Sequence, residues 1–378
     1  FVSPRQAVLA AGVALQRQMT GLDQVPDMAS QLLQEARQQG WSRALLMGAI
    51  PFHPQASARL FVPRYVEVLP RLESLTATTE TAPTRRTVRM DRTRMQPTPH
   101  QYKQLVKKAV SQIRKGDFEK VVLSRSVHLQ AEVDLPALLS TLAQRNPLGY
   151  TFALNLGDDA AQARSLVGAS PELLLSKCGN RVLSNPLAGS VPRSQDAEEN
   201  RRRADALLQS QKDRHEHALV VDAVAAALRP FCRALEVPAV PSVLATPTML
   251  HLSSEISGEL IDPTLSSLEL ALALHPTPAV CGFPPQPALD FIQHNEGFDR
   301  GLFTGLVGWS GAHGDGEWAV TIRCAEVTAD SVTLYAGAGV VEGSDPVLEL
   351  AETTAKMRTM LSALGLEPGL ESVLGALA

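Results

Sequence analysis

Three kinds of side chain in this sequence, glutamate, lysine and arginine, could do chemistry together. Glu216 stands where a helical pattern turns from polar to apolar. Arg201, Arg202, Arg203, Lys212, Asp213 and His215 precede it, and Ala218 to Leu228 follow. A carboxylate at such a boundary is costly to bury unless it is paired or holds a metal. Lys212, four residues earlier, offers the plain alternative of a half-exposed salt bridge. Glu349, Glu352 and Lys356 fall at i, i+3 and i+7 on one face of a second helix, which Asp345 caps and Pro346 opens. Glu352 and Lys356 can pair across one turn. Lys120 begins an alternating strand whose polar face includes Ser124, Ser126 and His128; by itself such a lysine would point to solvent. Glu172 ends an irregular corner, Gly168-Ala169-Ser170-Pro171-Glu172, where exposure is the plain expectation. Arg323 lies among small residues in an otherwise apolar strand, with room beside it for an anion; the alternative is an edge-strand arginine reaching water. Taken together these are the parts of one site. Oxygen ligands suit a hard cation, and Mg²⁺ takes one or two carboxylates and completes its shell with substrate and water. Basic groups beside Mg²⁺ imply a small substrate with more than one negative charge.

The elements that must position these residues follow from local pattern. Pro186-Leu187-Ala188-Gly189-Ser190-Val191-Pro192-Arg193 holds two prolines and a glycine and is expected as a shaped loop. A single long helix is expected after it, capped by Asp196 with Glu199 three residues on, and ending near Pro230. Tyr102 to Arg114 reads as an amphipathic helix and Glu119 to Leu129 as a strand. Leu166 to Ser184 reads as a hairpin turning at Cys178-Gly179-Asn180. The segment from His275 to Pro285 has four prolines and a glycine, so it is expected as a loop packed inside, of the kind that lines sites. Residues 302 to 341 read as a meander with strands near 302–309, 317–327 and 332–341. The glycines Gly337 and Gly339 between strand and helix resemble a dinucleotide-binding turn, but the spacing is wrong and no βαβ unit can follow. Residues 1 to about 70 look like a small α/β layer, with a helix over 31–39 and a strand over 44–50. A Thr/Pro/Arg-rich tract from Thr76 to Pro99 follows, with Arg85, Arg86, Arg89, Arg92 and Arg94. It lacks the interleaved aromatics of a nucleic-acid surface and is expected as a connector.

Composition narrows the class. The 378 residues are 44% hydrophobic and 20% charged with a net charge of -4, so no global pull toward nucleic acid or membrane is expected. No apolar run is long enough to span a bilayer and no secretory signal is visible. Cys178, Cys232, Cys281 and Cys324 are scattered, with no Cys-x-x-Cys pair, which points to a reduced, cytoplasmic protein without a disulfide framework.

Several long segments, in fixed order, resemble the chorismate-utilising enzymes. They are Lys120 to Arg125, Gly168 to Leu174, Pro186 to Arg193, Lys212 to His217, His275 to Gly282 and Ala336 to Pro346. Within that superfamily the chain looks most like isochorismate synthases of catechol-siderophore (2,3-dihydroxybenzoate) pathways, over roughly residues 100 to 362. The resemblance implies an α/β (α+β) fold of two stacked, largely antiparallel sheets with helices outside. Residues 1–99 would be an N-terminal portion of the same globular unit, 100–364 the chorismate-binding catalytic domain, and 365–378 a tail. It implies Mg²⁺-dependent isomerisation of chorismate to isochorismate, a hydroxyl entering at C2 while the C4 hydroxyl leaves. By motif, Lys120 would be the base that activates water, a role that needs the free amine, which burial or a nearby cation favours. Glu172 would be the general acid, which needs a raised carboxyl pKa. Glu216 and Glu352 would hold Mg²⁺, with Glu349 supporting through water. Arg323, Lys356 and the Gly337 amide would anchor the enolpyruvyl carboxylate; Gly189, Ser190, His251 and Ala279 would line the ring. Lys120 matches the water-using members, where anthranilate synthases carry glutamine. Ala188 stands where aminodeoxychorismate synthases carry a nucleophilic lysine, and Ser190 replaces the threonine common in relatives. Alternatives are a salicylate synthase, a menaquinone-pathway isochorismate synthase and a non-catalytic relative; the last would have lost one of Lys120, Glu172, Glu216 or Glu352. A monomer is expected, with at most transient contact with the next pathway enzyme.

Overall fold

The computed structural model describes residues 1–41, 44–70, 88–157 and 163–366. Arg85 and Arg86 lie outside the described residues, as does the chain beyond Leu366.

Alternating and continuous apolar runs build three antiparallel sheets. In spatial order the largest runs Gln6–Thr20 (β1), Ser57–Pro70 (β3), Leu45–Ile50 (β2), Leu306–Gly311 (β16), Gly316–Val320 (β17), Leu173–Cys178 (β8), Arg181–Asn185 (β9), Ile256–Leu260 (β14) and Cys232–Glu236 (β11). The second runs Gly282–Phe283 (β15), Lys120–Ala131 (β5), Ser331–Val340 (β19), Cys324–Thr328 (β18), Arg164–Ser170 (β7) and Tyr150–Asn155 (β6), with Val88–Gln96 (β4) also pairing β5. Leu187–Pro192 (β10), Met249–Ser253 (β13) and Ser242–Ala245 (β12) form the third. Leu45, Met47 and Val307 of the first sheet pack with Phe152, Leu154 and Leu166 of the second, so the two large sheets share a core. Helices cover the outer faces. Val25–Gln38 (α1), Gln211–Leu228 (α5) and Ser267–Leu274 (α6) pack on the first sheet. Leu135–Arg145 (α3) and Pro346–Ala363 (α8) pack on the second, while Pro99–Lys115 (α2) and Pro285–Asn295 (α7) close its β5 end. Ala197–Gln209 (α4) lies against the third sheet.

Five sequence expectations change. The expected long helix after Asp196 is two helices, α4 and α5, because Ser210 leaves helical geometry and caps the second by accepting the Asp213 N–H. The Pro186–Arg193 segment is no free loop: Leu187–Pro192 is an edge strand, which tolerates proline, with its register broken beside Gly189 at φ +75°. The Leu166–Ser184 hairpin exists only as β8 and β9; β7 belongs to the other large sheet, so the chain changes sheets at Ser170–Glu172. The strand expected at 317–327 breaks at Thr321–Arg323 and changes sheets as well, β17 lying in one and β18 in the other. The tract expected as a connector includes β4, which pairs β5 and contains Arg89, Arg92 and Arg94.

Candidate active site

The two crossings meet. Glu172 O accepts from Val320 N at 3.2 Å, and Arg323 O accepts from Ala169 N at 3.0 Å. Each crossing thus holds the other, and Glu172 and Arg323 line one cleft between the sheets. Arg323 has φ +51° and Thr304, also lining the cleft, φ +61°. Among the described residues these are the non-glycine positions of positive φ, a conformation that non-glycine residues adopt uncommonly. Pro171, Leu187, Ala188, Gly189, Ser190, Glu216, His251, Ala279, Ile322, Tyr335, Gly337, Gly339 and Lys356 complete the walls.

Residues from distant parts of the chain converge here in pairs. Lys120 is fully buried, not solvent-facing, and its Nζ lies 3.0 Å from Glu216 Oε1. The geometry is poor for a hydrogen bond, so Nζ makes none among the described residues. Glu216 is therefore buried and paired with Lys120, not the half-exposed partner of Lys212. Lys212 instead reaches Glu349 at 2.7 Å. Lys356 meets Glu352 at 2.6 Å, as its helical spacing predicts, and donates to Gly337 O at 2.9 Å. Ser190 donates to Glu352 Oε1 at 3.0 Å, so its hydroxyl orients a carboxylate as well as facing the cleft. Arg323 is buried instead of reaching water; its Nη2 donates to His251 Nε2 at 3.3 Å.

Burial and charge set the protonation states. Burial raises the Glu172 carboxyl to about 7, against smaller opposing effects of a backbone hydrogen bond at Leu187 and of Lys120, Arg323 and Lys356. Burial is also the largest effect on Glu352, but Lys356, Lys212 and the Ser190 hydroxyl together outweigh it and the net shift is downward. Burial and the Glu352 charge raise Glu349 to about 7 despite Lys212. Burial, with Arg323 and Lys356, keeps His251 neutral. Burial lowers the Arg323 guanidinium to about 10.

The acidic cluster suits a hard cation. Glu216, Glu349 and Glu352 offer only oxygen, and Glu349 Oε2 is buried without a hydrogen bond. Among the described residues no three acidic, histidine or cysteine side chains converge closely enough to hold a metal unaided. One or two carboxylates completed by substrate and water is the coordination Mg²⁺ prefers, so the residues fit it.

The family profile of the chorismate binding enzymes matches residues 12–365. The chain belongs to the chorismate binding enzyme family. The match takes in most of the first hundred residues, where the sequence motifs resemble the family more loosely. The isochorismate synthase DhbC of Bacillus subtilis is 49% identical over 375 residues, covering 97% of this chain and 93% of that protein. The vibriobactin-specific isochorismate synthase of Vibrio cholerae is 46% identical over 372 residues, covering 97% and 91%. The solved structure of DhbC from Bacillus anthracis, 48% identical, superposes with a TM-score of 0.91 over 97% of this chain and 95% of that one.

Within the family fold, two contributors escaped the sequence reading. A Cβ at Gly339 would lie 2.0 Å from Glu216 Oε1, so only glycine lets that carboxylate settle beside Lys120. The glycine pair in the sequence is the signal, although there only Gly337 is given a place in the site. His217 bridges Ala188 O, at 3.2 Å from Nδ1, and Ser254 Oγ, at 2.8 Å from Nε2, tying α5 to the β10 bulge. Burial lowers it to about 4, leaving it neutral. It closes the Lys212–His217 motif, but nothing in the sequence gives it this bridging role.

Proposed function

We propose that the chain is an isochorismate synthase, converting chorismate to isochorismate in the branch that supplies 2,3-dihydroxybenzoate for a catechol siderophore. The observation that carries this reading is a carboxylic acid that keeps its proton near neutrality, Glu172, lining one cleft with Glu216, against which the fully buried Lys120 lies. The relatives that match nearly the whole chain bear the same activity.

Lys120, as the free amine, takes a proton from the water that bonds to C2. The ring double bonds shift, and the C4 oxygen departs as water once Glu172 has given it a proton. One water enters and one leaves, so the step is an isomerisation. A protonated carboxyl can donate where an ionised one cannot, and burial supplies that state. The unspent hydrogen-bonding capacity of Lys120 Nζ is what a group that must hold a water requires. Arg323 and Lys356 bind the enolpyruvyl carboxylate together with the Gly337 amide, while Gly189, Ser190, His251 and Ala279 contact the ring. Neutral His251 keeps Arg323 in place without competing for the anion. Glu216 and Glu352, supported by Glu349, would hold Mg²⁺, which would supply positive charge for the ring carboxylate.

In this reading the chain is one working unit, with residues 1–99 an integral part of it, residues 100–364 the catalytic portion and 365–378 a tail. It acts as a monomer in the cytoplasm, a setting in keeping with four unpaired cysteines. Among the described residues no helix is long and apolar enough to cross a membrane.

Incubation of the protein with chorismate and Mg²⁺, followed by separation and identification of products, tests the reading. Isochorismate alone is expected. Salicylate with pyruvate would reassign the chain to the salicylate synthases, and unchanged chorismate would remove the enzymatic reading.

A further inference from the structure

β5 has a gap in its pairing directly beside the cleft. On one side it pairs with β19 from Val121 to Gln130. On the other, β15 covers Lys120 and Val121, and β4 resumes at Ser126. Between them two backbone groups face away from β19 with no strand to meet. Two side chains take the place of that strand. Arg300 Nη2 donates to Val122 O at 2.8 Å, and Glu296 Oε1 accepts the Ser124 N–H at 2.7 Å.

Glu296 and Arg300 lie four residues apart in the turn after α7, and both are buried. All five guanidinium N–H groups are used. Nε donates to Glu296 Oε2 at 2.7 Å, Nη2 also to Glu296 Oε1, and Nη1 to Val280 O at 2.8 Å and Thr304 Oγ1 at 3.3 Å. The guanidinium also lies over the Phe52 ring, 4.4 Å from its centroid. A buried ion pair is a weak source of stability, since apolar residues of similar volume often serve as well. Direction is what apolar residues could not supply. Val122, Val280 and Thr304, which this pair holds, all line the cleft, and Lys120 precedes Val122 by two residues.

We infer that Glu296 and Arg300 are positioning residues, a side-chain substitute for a missing strand that sets β5 and the Ala279–Val280 loop against the substrate. Neither lines the cleft. The inference rests on the isochorismate synthase reading for its catalytic part only.

The test is the double apolar variant E296L/R300M, with R300K as a milder companion that keeps the charge and loses two donors. The double variant is expected to melt at or above the wild-type temperature. Its KM for chorismate should stay within about threefold while kcat falls roughly 10- to 100-fold, the loss that a misplaced reacting group produces. The Ser124 amide should exchange its hydrogen faster than in wild type, with its β19-paired neighbours unchanged. R300K should show the same split with a smaller fall. A double variant with wild-type kcat overturns the inference, and so does R300K if melting temperature, KM and kcat decline together, since that is plain core packing. If wild type itself forms no isochorismate, the functional reading falls, while Ser124 exchange still decides whether the pair replaces a strand.

Discussion

The two halves of the cleft hold their charges in opposite ways. On the helical half, α5 and α8 bring in Glu216, Glu349 and Glu352, and each meets a lysine: Lys120, Lys212 and Lys356. On the half built from the sheet crossings, Glu172 and Arg323 are equally buried, yet among the described residues no salt bridge engages either. Charge opposes burial on the first half, and burial acts with little opposition on the second. Glu352 is accordingly held below the ordinary carboxylate range, while Glu172 is raised to about 7. Glu349 marks the limit of the rule: its neighbour Glu352 adds to burial and outweighs Lys212. Environment alone thus sets two carboxyls apart, one held as an anion and one keeping its proton, as the proposed metal-ligand and acid roles require.

The largest expected effect breaks the helical half. Glu352→Gln and Glu216→Gln should each abolish turnover at any Mg²⁺ concentration and remove Mg²⁺ binding in calorimetry, with the circular-dichroism spectrum of a folded protein. Retained Mg²⁺ binding in both variants would make the two glutamates structural. Next comes Lys120→Gln, which keeps length and hydrogen bonding but cannot take a proton. Isochorismate formation should fall by roughly 10²- to 10⁴-fold, with chorismate still bound. Near-normal turnover would remove Lys120 from the mechanism.

Arg323→Ala breaks the other half. A desolvated arginine–carboxylate contact is worth about 2–5 kcal/mol, so substrate binding should weaken by that amount, read as KM and as inhibitor affinity. Unchanged constants would place Arg323 outside the substrate site.

Much of the helical half was legible because helices advertise their faces. Glu349, Glu352 and Lys356 share a face by spacing alone, and Asp345-Pro346 marks where that helix starts. The partners were less legible: Lys212 lies one turn from Glu216, yet it reaches across to Glu349, because Glu216 points inward at Lys120. Local spacing cannot weigh a neighbour 96 residues away in sequence. The crossings were the least legible part. A strand pattern that passes from one sheet to another keeps its alternation, so 317–327 read as one strand and the left-handed Arg323 left no trace. Pro186–Arg193 failed for the converse reason, since an edge strand accepts prolines that a central one refuses. The motifs were still enough for the family, because resemblance needs residues in order and not their geometry.

The smallest expected effect sharpens the contrast between the acid and the anion. With the Glu172 pKa raised from 4.5 to about 7, turnover should fall about tenfold per pH unit above neutrality as the acid form is lost, over the range in which Lys120 is already the free amine. Stability follows the same sign. The raised native pKa contributes stability that is full below pH 4.5 and is lost as pH rises through about 7. Glu172→Gln should therefore lack that loss, and melting temperatures of both proteins across this window measure it. Parallel curves would mean that Glu172 ionises normally.

The most direct test of the account is the source of the new hydroxyl. Isochorismate made by the wild-type protein in ¹⁸O-water should carry one heavy oxygen, on C2, since in the proposed mechanism Lys120 activates solvent water and the C4 oxygen is released. Isochorismate without the label would mean that the substrate's own hydroxyl migrates, and would contradict the roles assigned to Lys120 and Glu172 together.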